Sequence, residues 1–180
     1  MARLDGSQDA RAQVLARIRD VPDFPRQGVL FKDITPLLAD HAAFSAAVSA
    51  MVEMLPLDVD VVAAVEARGF VLGAPVALAA GAGFVPVRKV GKLPGTTART
   101  SYALEYGSAE IEVTADAFAP GQRVVVLDDV LATGGTAEAT CELVEQLGAT
   151  VVGVRFLLEL SFLHGRDRLV GRDVESLVVT

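Results

Sequence analysis

A chain of 180 residues, 52% hydrophobic and 22% charged, can bury one substantial core and is neither disordered nor of low complexity. Its 16 basic and 23 acidic residues leave a net charge of −7, whereas a nucleic-acid binder carries a basic surface, so no nucleic-acid partner is expected. A single cysteine, Cys141, excludes an intrachain disulfide, and His41 and His164 match no zinc spacing; a reducing, cytoplasmic setting fits both facts. The opening MARLDGSQDARAQ holds acids and no apolar stretch, so no secretory signal is expected.

Along the chain, residues 8–19 read as a helix with Val14, Leu15 and Ile18 on one side and Ser7 or Asp9 as its cap. Residues 21–36, VPDFPRQGVLFKDITP, hold three prolines and a glycine and cannot be one regular element. Phe24, Val29, Leu30, Phe31 and Ile34 make this stretch too apolar for a plain linker, so it is a packed or functional loop. Asp40 is placed to cap a helix running to about Leu55, with Phe44, Val48, Met51, Val52 and Leu55 at helical spacing.

Strand and helix patterns then alternate. VDVVAAV (59–65) is a buried strand, 70–80 a helix and FVPVR (84–88) a strand. SYALEY (101–106) and EIEVT (110–114) form a hairpin joined at Gly107–Ser108. RVVVLDD (123–129) is the strongest strand, followed by a helix over about 135–147 and the strand VVGVRFLL (151–158). Phe70 to Val87 is uncharged and just long enough to raise the question of a membrane span. Gly73, Pro75, Gly81, Gly83 and Pro86 interrupt it, so it reads as buried core and no membrane partner is expected. The alternation predicts an α/β fold: a mostly parallel central sheet flanked by helices, in one domain over 1–180. Ligands of such sheets sit at the carboxyl ends of strands, here after 65, 88 and 127.

Residues 124–136, VVVLDDVLATGGT, carry the most chemistry. Gly134 and Gly135 let a ligand approach the backbone, and Thr133 and Thr136 add hydroxyl donors. The unpaired N–H groups of the helix that follows complete a phosphate cradle. Asp128 and Asp129 repel phosphate but suit sugar hydroxyls or a divalent metal, and phosphate, diol and metal together describe a phosphorylated ribose. The plainer alternative is a solvated acidic turn ahead of a Thr-capped helix. Two other nucleotide motifs are excluded. A Walker loop ending at Gly91-Lys92 would need Gly at 86 and Ser or Thr at 93, where Pro86 and Leu93 stand; Gly81-x-Gly83 lacks its third glycine and precedes a strand.

The 124–136 segment resembles the phosphoribosyl-pyrophosphate motif of the type I phosphoribosyltransferases. PDFPRQGVLFKDITPLL (22–38), EARGF (66–70), VRKVGKLPG (87–95) and YALEYG (102–107) are similar, in that order, to the adenine phosphoribosyltransferase family. The ends, 1–20 and 160–180, add little, and Lys32 stands where many relatives have Arg. The resemblance implies the type I fold with a flexible hood over about 89–114, and a homodimer. It implies transfer of phosphoribosyl from phosphoribosyl pyrophosphate to adenine, giving AMP and pyrophosphate, with Mg²⁺ carried by the substrate and not by protein ligands. By resemblance, Asp128, Asp129, Ala132, Thr133, Gly134, Gly135 and Thr136 hold the ribose and 5′-phosphate. Arg68, Arg88, Lys89 and Lys92 face the pyrophosphate, and residues matching Arg88 reach across the dimer interface. Phe31 stacks on adenine while the backbone of Leu30 and Lys32 pairs with its edge, a role that a Lys at 32 leaves intact. Glu105 assists proton transfer at the base and is the catalytic residue.

Local chemistry agrees in part. No acid occurs between 85 and 104, while Arg88, Lys89, Lys92 and Arg99 do, a cationic window that suits a polyphosphate or a solvated basic loop. Arg68 can grip two phosphate oxygens or be a surface arginine at a strand end. Phe31 suits a base-stacking or a core role, and Glu105 a catalytic or an outward-facing one. Cys141 reads as a small packing residue. Two rivals remain: another purine base, or a ligand-sensing regulator on the same fold. The roughly twenty residues before the base loop are too few for a DNA-binding module with its own core.

Overall fold

The computed structural model describes residues 4–103 and 108–180. The chain divides into two compact units, one up to Ala50 and one from Met51 to Thr180.

The first unit begins with helix α1 (Leu4–Ala16). The helix starts ahead of Ser7 and Asp9, which therefore lie inside it instead of capping it, and it stops before Ile18. Val14 is buried, with Ala10 one turn before it, and Leu15 is half exposed, so the expected face is packed at Val14 but not at Leu15. Arg19, the last residue that periodicity assigned to the helix, is claimed by strand pairing: β1 (Arg19–Pro22) runs antiparallel to β2 (Leu30–Asp33), from Arg19 opposite Asp33 to Pro22 opposite Leu30. The turn between them is tied by the Gly28 N–H to Asp23 Oδ1 at 2.7 Å, with Gly28 at φ +84°. Helix α2 (Thr35–Ala39) leads into α3 (His41–Glu53). Asp40 caps α3 as expected, accepting the Ala43 N–H at 3.1 Å. The buried stripe of α3 is Ala43, Ala47, Ala50 and Met51, while Phe44, Val48 and Val52 are half-buried, so of these large residues expected on the face Met51 alone is fully packed and alanines supply the rest.

The second unit is an α/β sheet: β3 (Val61–Val65), α4 (Arg68–Ala80), β4 (Gly83–Lys89), β5 (Thr97–Ala103), β6 (Ser108–Thr114), β7 (Arg123–Leu131), α5 (Gly135–Gln146), β8 (Thr150–Glu159) and β9 (Val174–Val179). Strand order is β5-β6-β4-β3-β7-β8-β9. The pairs from β4 through β9 are parallel, and β5 and β6 add an antiparallel ribbon at one edge. Every residue of β3 is buried, as a strand covered on both faces requires. Ala63, Val124, Val126, Phe156 and Leu143 belong to the main core of this unit.

Three differences from the sequence reading matter later. β7 runs to Leu131, two residues beyond the expected 129, so Asp128 and Asp129 sit within the strand and not at its very end. β5 starts at Thr97, and Ser108 is already paired in β6; the hairpin turn itself lies outside the described residues. β9 was not foreseen: its alternating ESLVV pattern was lost in a tail that looked featureless. Among the described residues no helix is long and apolar enough to cross a membrane. The uncharged stretch from 70 is the 13-residue α4, which continues through Pro75 and ends at Gly81 with φ +70°, followed by β4.

Candidate active site

Parallel pairing of β3 with β7 brings the carboxyl ends of both strands together, and the residues after each form one cluster. Gly69, the second residue of α4, lies against Asp128; a Cβ there would stand 2.8 Å from Asp128 Oδ1. That absent side chain lets α4 start directly over the acids. Arg68, the first residue of α4, reaches Asp129, with its Nε 2.8 Å from Oδ2. The peptide bond before this turn, Glu66–Ala67, is cis.

The two carboxylates differ in environment. Asp128 Oδ1 accepts the N–H of Asp129 at 2.8 Å. Burial, and then the adjacent Asp129 charge, push the Asp128 carboxyl well above the usual range. Asp129 is buried and is also pushed up by burial, although the Arg68 guanidinium opposes this. A buried acid pair with one guanidinium is costly to hold in a resting fold, and such arrangements concentrate at sites that bind something polar.

Beyond β7 the chain makes the loop 132–136. Gly134, at φ +81°, precedes α5, and its carbonyl accepts the Glu138 N–H at 2.9 Å. The Thr140 hydroxyl donates to the Thr136 carbonyl at 2.7 Å, so Thr140 takes part in the helix and not in the cradle. Asp128, Val130 to Ala137 and Phe156 line a cavity of about 70 Å³ over the start of α5. The loop 132–136 and the start of α5 thus form one wall of the cavity, and the first-turn N–H groups of a helix, which have no partner within it, are the kind of donor that suits an anion.

The phosphoribosyl transferase domain family matches residues 34–169. The adenine phosphoribosyltransferase of Acidothermus cellulolyticus is 60% identical over 92% of this chain and 94% of its own length. This chain belongs to the adenine phosphoribosyltransferase family. The adenine phosphoribosyltransferase of Thermoanaerobacter pseudethanolicus has the same fold, with a TM-score of 0.92 at 49% identity over 94% of this chain and 99% of that one. The Saccharomyces cerevisiae enzyme, solved with a dideoxy-imino-altritol bisphosphate and adenine, gives 0.91 at 38% identity over 94% and 99%. The Trypanosoma brucei enzyme, solved with AMP, pyrophosphate and ribose-5-phosphate, gives 0.84 at 25% identity over 99% and 81%.

The remaining residues singled out by likeness to the adenine phosphoribosyltransferases fall into three places. Arg88 and Lys89 end β4, and Lys92 lies in the loop that follows. Arg88 is already engaged: its Nε donates to Glu66 at 2.8 Å and its Nη1 to the Lys92 carbonyl at 3.2 Å. Lys89 and Lys92 are exposed. The cationic window of the sequence is therefore met by acids from outside it. Glu112, fully buried on β6, accepts the N–H groups of Lys92 and Leu93 at 3.0 and 3.1 Å and lies 3.3 Å from Arg99. Burial pushes Glu112 up, but the N–H groups of Leu93 and Lys92 and the Thr97 hydroxyl outweigh it and hold the carboxyl below its usual range. Sequence reading missed Glu112, because in EIEVT it alternates with Ile111 and Val113 and shares a face with Glu110 and Thr114, which reads as the polar side of the strand.

Leu30, Phe31 and Lys32 lie on β2 of the first unit. Phe31 is half-buried and meets Phe24 edge-on, with ring centroids 5.1 Å apart, and Lys32 pairs with Asp20 at 2.8 Å. Among the described residues their sheet has two strands, β1 and β2. Glu105 lies outside the described residues. Cys141 is the packing residue expected: burial pushes its thiol to about 12, which rules out a thiolate nucleophile at neutral pH. Among the described residues no three His, Cys, Asp or Glu side chains converge on a metal position.

Proposed function

We propose that this chain transfers the phosphoribosyl group of phosphoribosyl pyrophosphate to adenine, releasing AMP and pyrophosphate, as a step of purine salvage. The observation that carries the reading is the loop 132–136 just beyond β7 beside two adjacent carboxylates near the end of that strand, Asp128 and Asp129, the second buried and paired with Arg68. A phosphate fits the first and a ribose diol the second, in the order that a ribose 5-phosphate presents them. The ligands of the yeast and trypanosomal relatives are what such a site would hold.

In this reading the loop 132–136 binds the 5′-phosphate and Asp128 and Asp129 accept the ribose hydroxyls. Arg68 grips the pyrophosphate, exchanging part of its contact with Asp129 for phosphate oxygens, and Arg88, Lys89 and Lys92 add positive charge to the leaving group. Mg²⁺ would arrive on the diphosphate with Asp128 and Asp129 as the carboxylates that face it, and when bound it would neutralise charge on the departing pyrophosphate. Phe31 stacks on adenine, and the backbone of Leu30 and Lys32 on β2 pairs with its edge. Glu105 takes up the proton that the base sheds as the bond to the anomeric carbon forms. The working unit is a homodimer in which Arg88 serves the neighbouring site, and the buried, unpaired Cys141 fits a cytoplasmic setting.

The test is pyrophosphate release with phosphoribosyl pyrophosphate and Mg²⁺, offering adenine, guanine, hypoxanthine and uracil in parallel. Adenine should exceed the 6-oxopurines by at least tenfold, because each unpaired polar group in a closed base site costs about 1–3 kcal/mol. Equal turnover of adenine and hypoxanthine would defeat the assignment.

A further inference from the structure

The end of the chain, to which the sequence assigned no role, is built against the phosphate loop. Gly134 turns its bare Cα to the Gly165 carbonyl, and a Cβ there would fall on that oxygen. Gly165 in turn sets its own bare Cα on the Ala132 carbonyl and the Leu131 side chain. The Leu160 N–H donates to the Leu131 carbonyl at 2.9 Å, so the tail also closes the end of β7.

What holds Gly165 in place is the next residue. Arg166 puts its Nε and Nη2 at 2.7 and 2.8 Å from the two oxygens of Glu159, and its Nη1 at 2.9 Å from the Val174 carbonyl. Glu159 is buried at the end of β8 and takes a third donor, the Ser176 hydroxyl, at 2.7 Å. In the same short helical turn, Arg168 reaches Glu138 in the first turn of α5 at 3.0 Å. A bidentate arginine–carboxylate pair fixes angle as well as distance, and a buried carboxylate with its donors in place is rigid.

We propose that the Glu159–Arg166 pair is a positioning device for phosphate binding: by clamping Gly165 onto Gly134 and Ala132, it sets the backbone of loop 132–136 that receives the 5′-phosphate. The inference rests on the phosphate reading of that loop. Neither member of the pair is among the residues lining the phosphate cavity, so the effect is carried by the shape of the loop backbone.

The experiment compares wild type with Arg166→Met, Arg166→Lys and Arg172→Met. Arg172 makes an equivalent 2.7 Å pair with Glu145 on the same tail and controls for general loosening. AMP and inorganic phosphate are titrated calorimetrically, and KM is measured for phosphoribosyl pyrophosphate and for adenine separately. For Arg166→Met, the AMP Kd and the KM for phosphoribosyl pyrophosphate should rise about tenfold, a part of the hundredfold that a 1 Å displacement can cost. KM for adenine should stay within about twofold, Arg166→Lys should recover part of the loss, and Arg172→Met should match wild type. Should Arg166→Met fail to fold, Arg166→Lys carries the test alone through the same split between the two KM values. Unchanged AMP and phosphate binding in a folded variant, equal rises in both KM values, or an equal effect of Arg172→Met would overturn the proposal. A wild type that binds phosphate but turns over no base removes the activity reading while the phosphate titration still judges the clamp; a wild type that binds no phosphate overturns both.

Discussion

Replacing Asp128 by Asn should stabilise the protein at neutral pH and cripple the binding of phosphoribosyl pyrophosphate. The substitution keeps the side-chain shape, so Asn Oδ1 can still accept the Asp129 N–H now bonded at 2.8 Å, and the close approach of Gly69 is undisturbed. It removes a buried charge set beside Asp129, the two largest causes that push the Asp128 carboxyl up. Against this, it weakens one charge-assisted hydrogen bond and a lesser attraction to Arg68. Relief of this kind at functional sites amounts to roughly 0.5–2 kcal/mol. For a chain of this length about 1 kcal/mol moves Tm by roughly 2–4 °C. The pH dependence has a definite sign. A carboxyl raised on folding binds its proton more tightly in the folded than in the unfolded state, so its ionisation destabilises the fold. The advantage of Asn is therefore complete above the folded-state value and vanishes as pH falls to the ordinary aspartate range near 3.8, where both forms are neutral. Paired thermal melts of wild type and Asp128→Asn from pH 7 down to pH 4 check this. Meanwhile the lost bond to a ribose hydroxyl, about 1.5–3 kcal/mol for a charged acceptor, should raise KM for phosphoribosyl pyrophosphate at least tenfold. A variant less stable than wild type at pH 7, or a stability gap independent of pH, would refute the account of a strained acid pair.

Gly134→Ala forces a left-handed backbone on a side chain and drives a Cβ into the Gly165 carbonyl, so it should cost about 2–4 kcal/mol in denaturant unfolding. Glu112→Ala releases the Lys92 and Leu93 N–H groups and should speed hydrogen exchange at both amides; Glu112→Gln, which keeps an acceptor, should do so less. Because its carboxyl is held low, the stability that Glu112 contributes is present above the ordinary glutamate range and is lost as pH falls through its folded value, a loss that Glu112→Gln should not show in acid titration. Glu105→Gln should lower the single-turnover rate by about 10²–10⁴-fold with little change in KM for phosphoribosyl pyrophosphate; an unchanged rate would return Glu105 to an outward-facing structural role.

Much of the site was written locally. A β-run, two acids and a Thr-Gly loop opening a helix occupy 124–136 in one stretch, and the chemistry of a phosphate cradle depends on backbone groups a few residues apart. The sequence by itself therefore determined the parallel sheet, the position of the cradle and the family to which its motifs belong. Helix ends were less legible: α1 stops short of β1, whose Arg19 finds its partner at Asp33, and local periodicity holds no record of that. Only the tertiary structure decided which charges meet. Arg68 reaches Asp129 because β3 and β7 are neighbours, and the basic window at 88–99 is met by Glu66 and Glu112 from adjoining strands. Glu159, Gly165 and Arg166 acquire their place behind the phosphate loop only once β8 lies beside β7 and the tail folds back. Ion pairs and close carbonyl contacts act over a few ångströms in space, so residues far apart along the chain show them only when the fold has set them side by side.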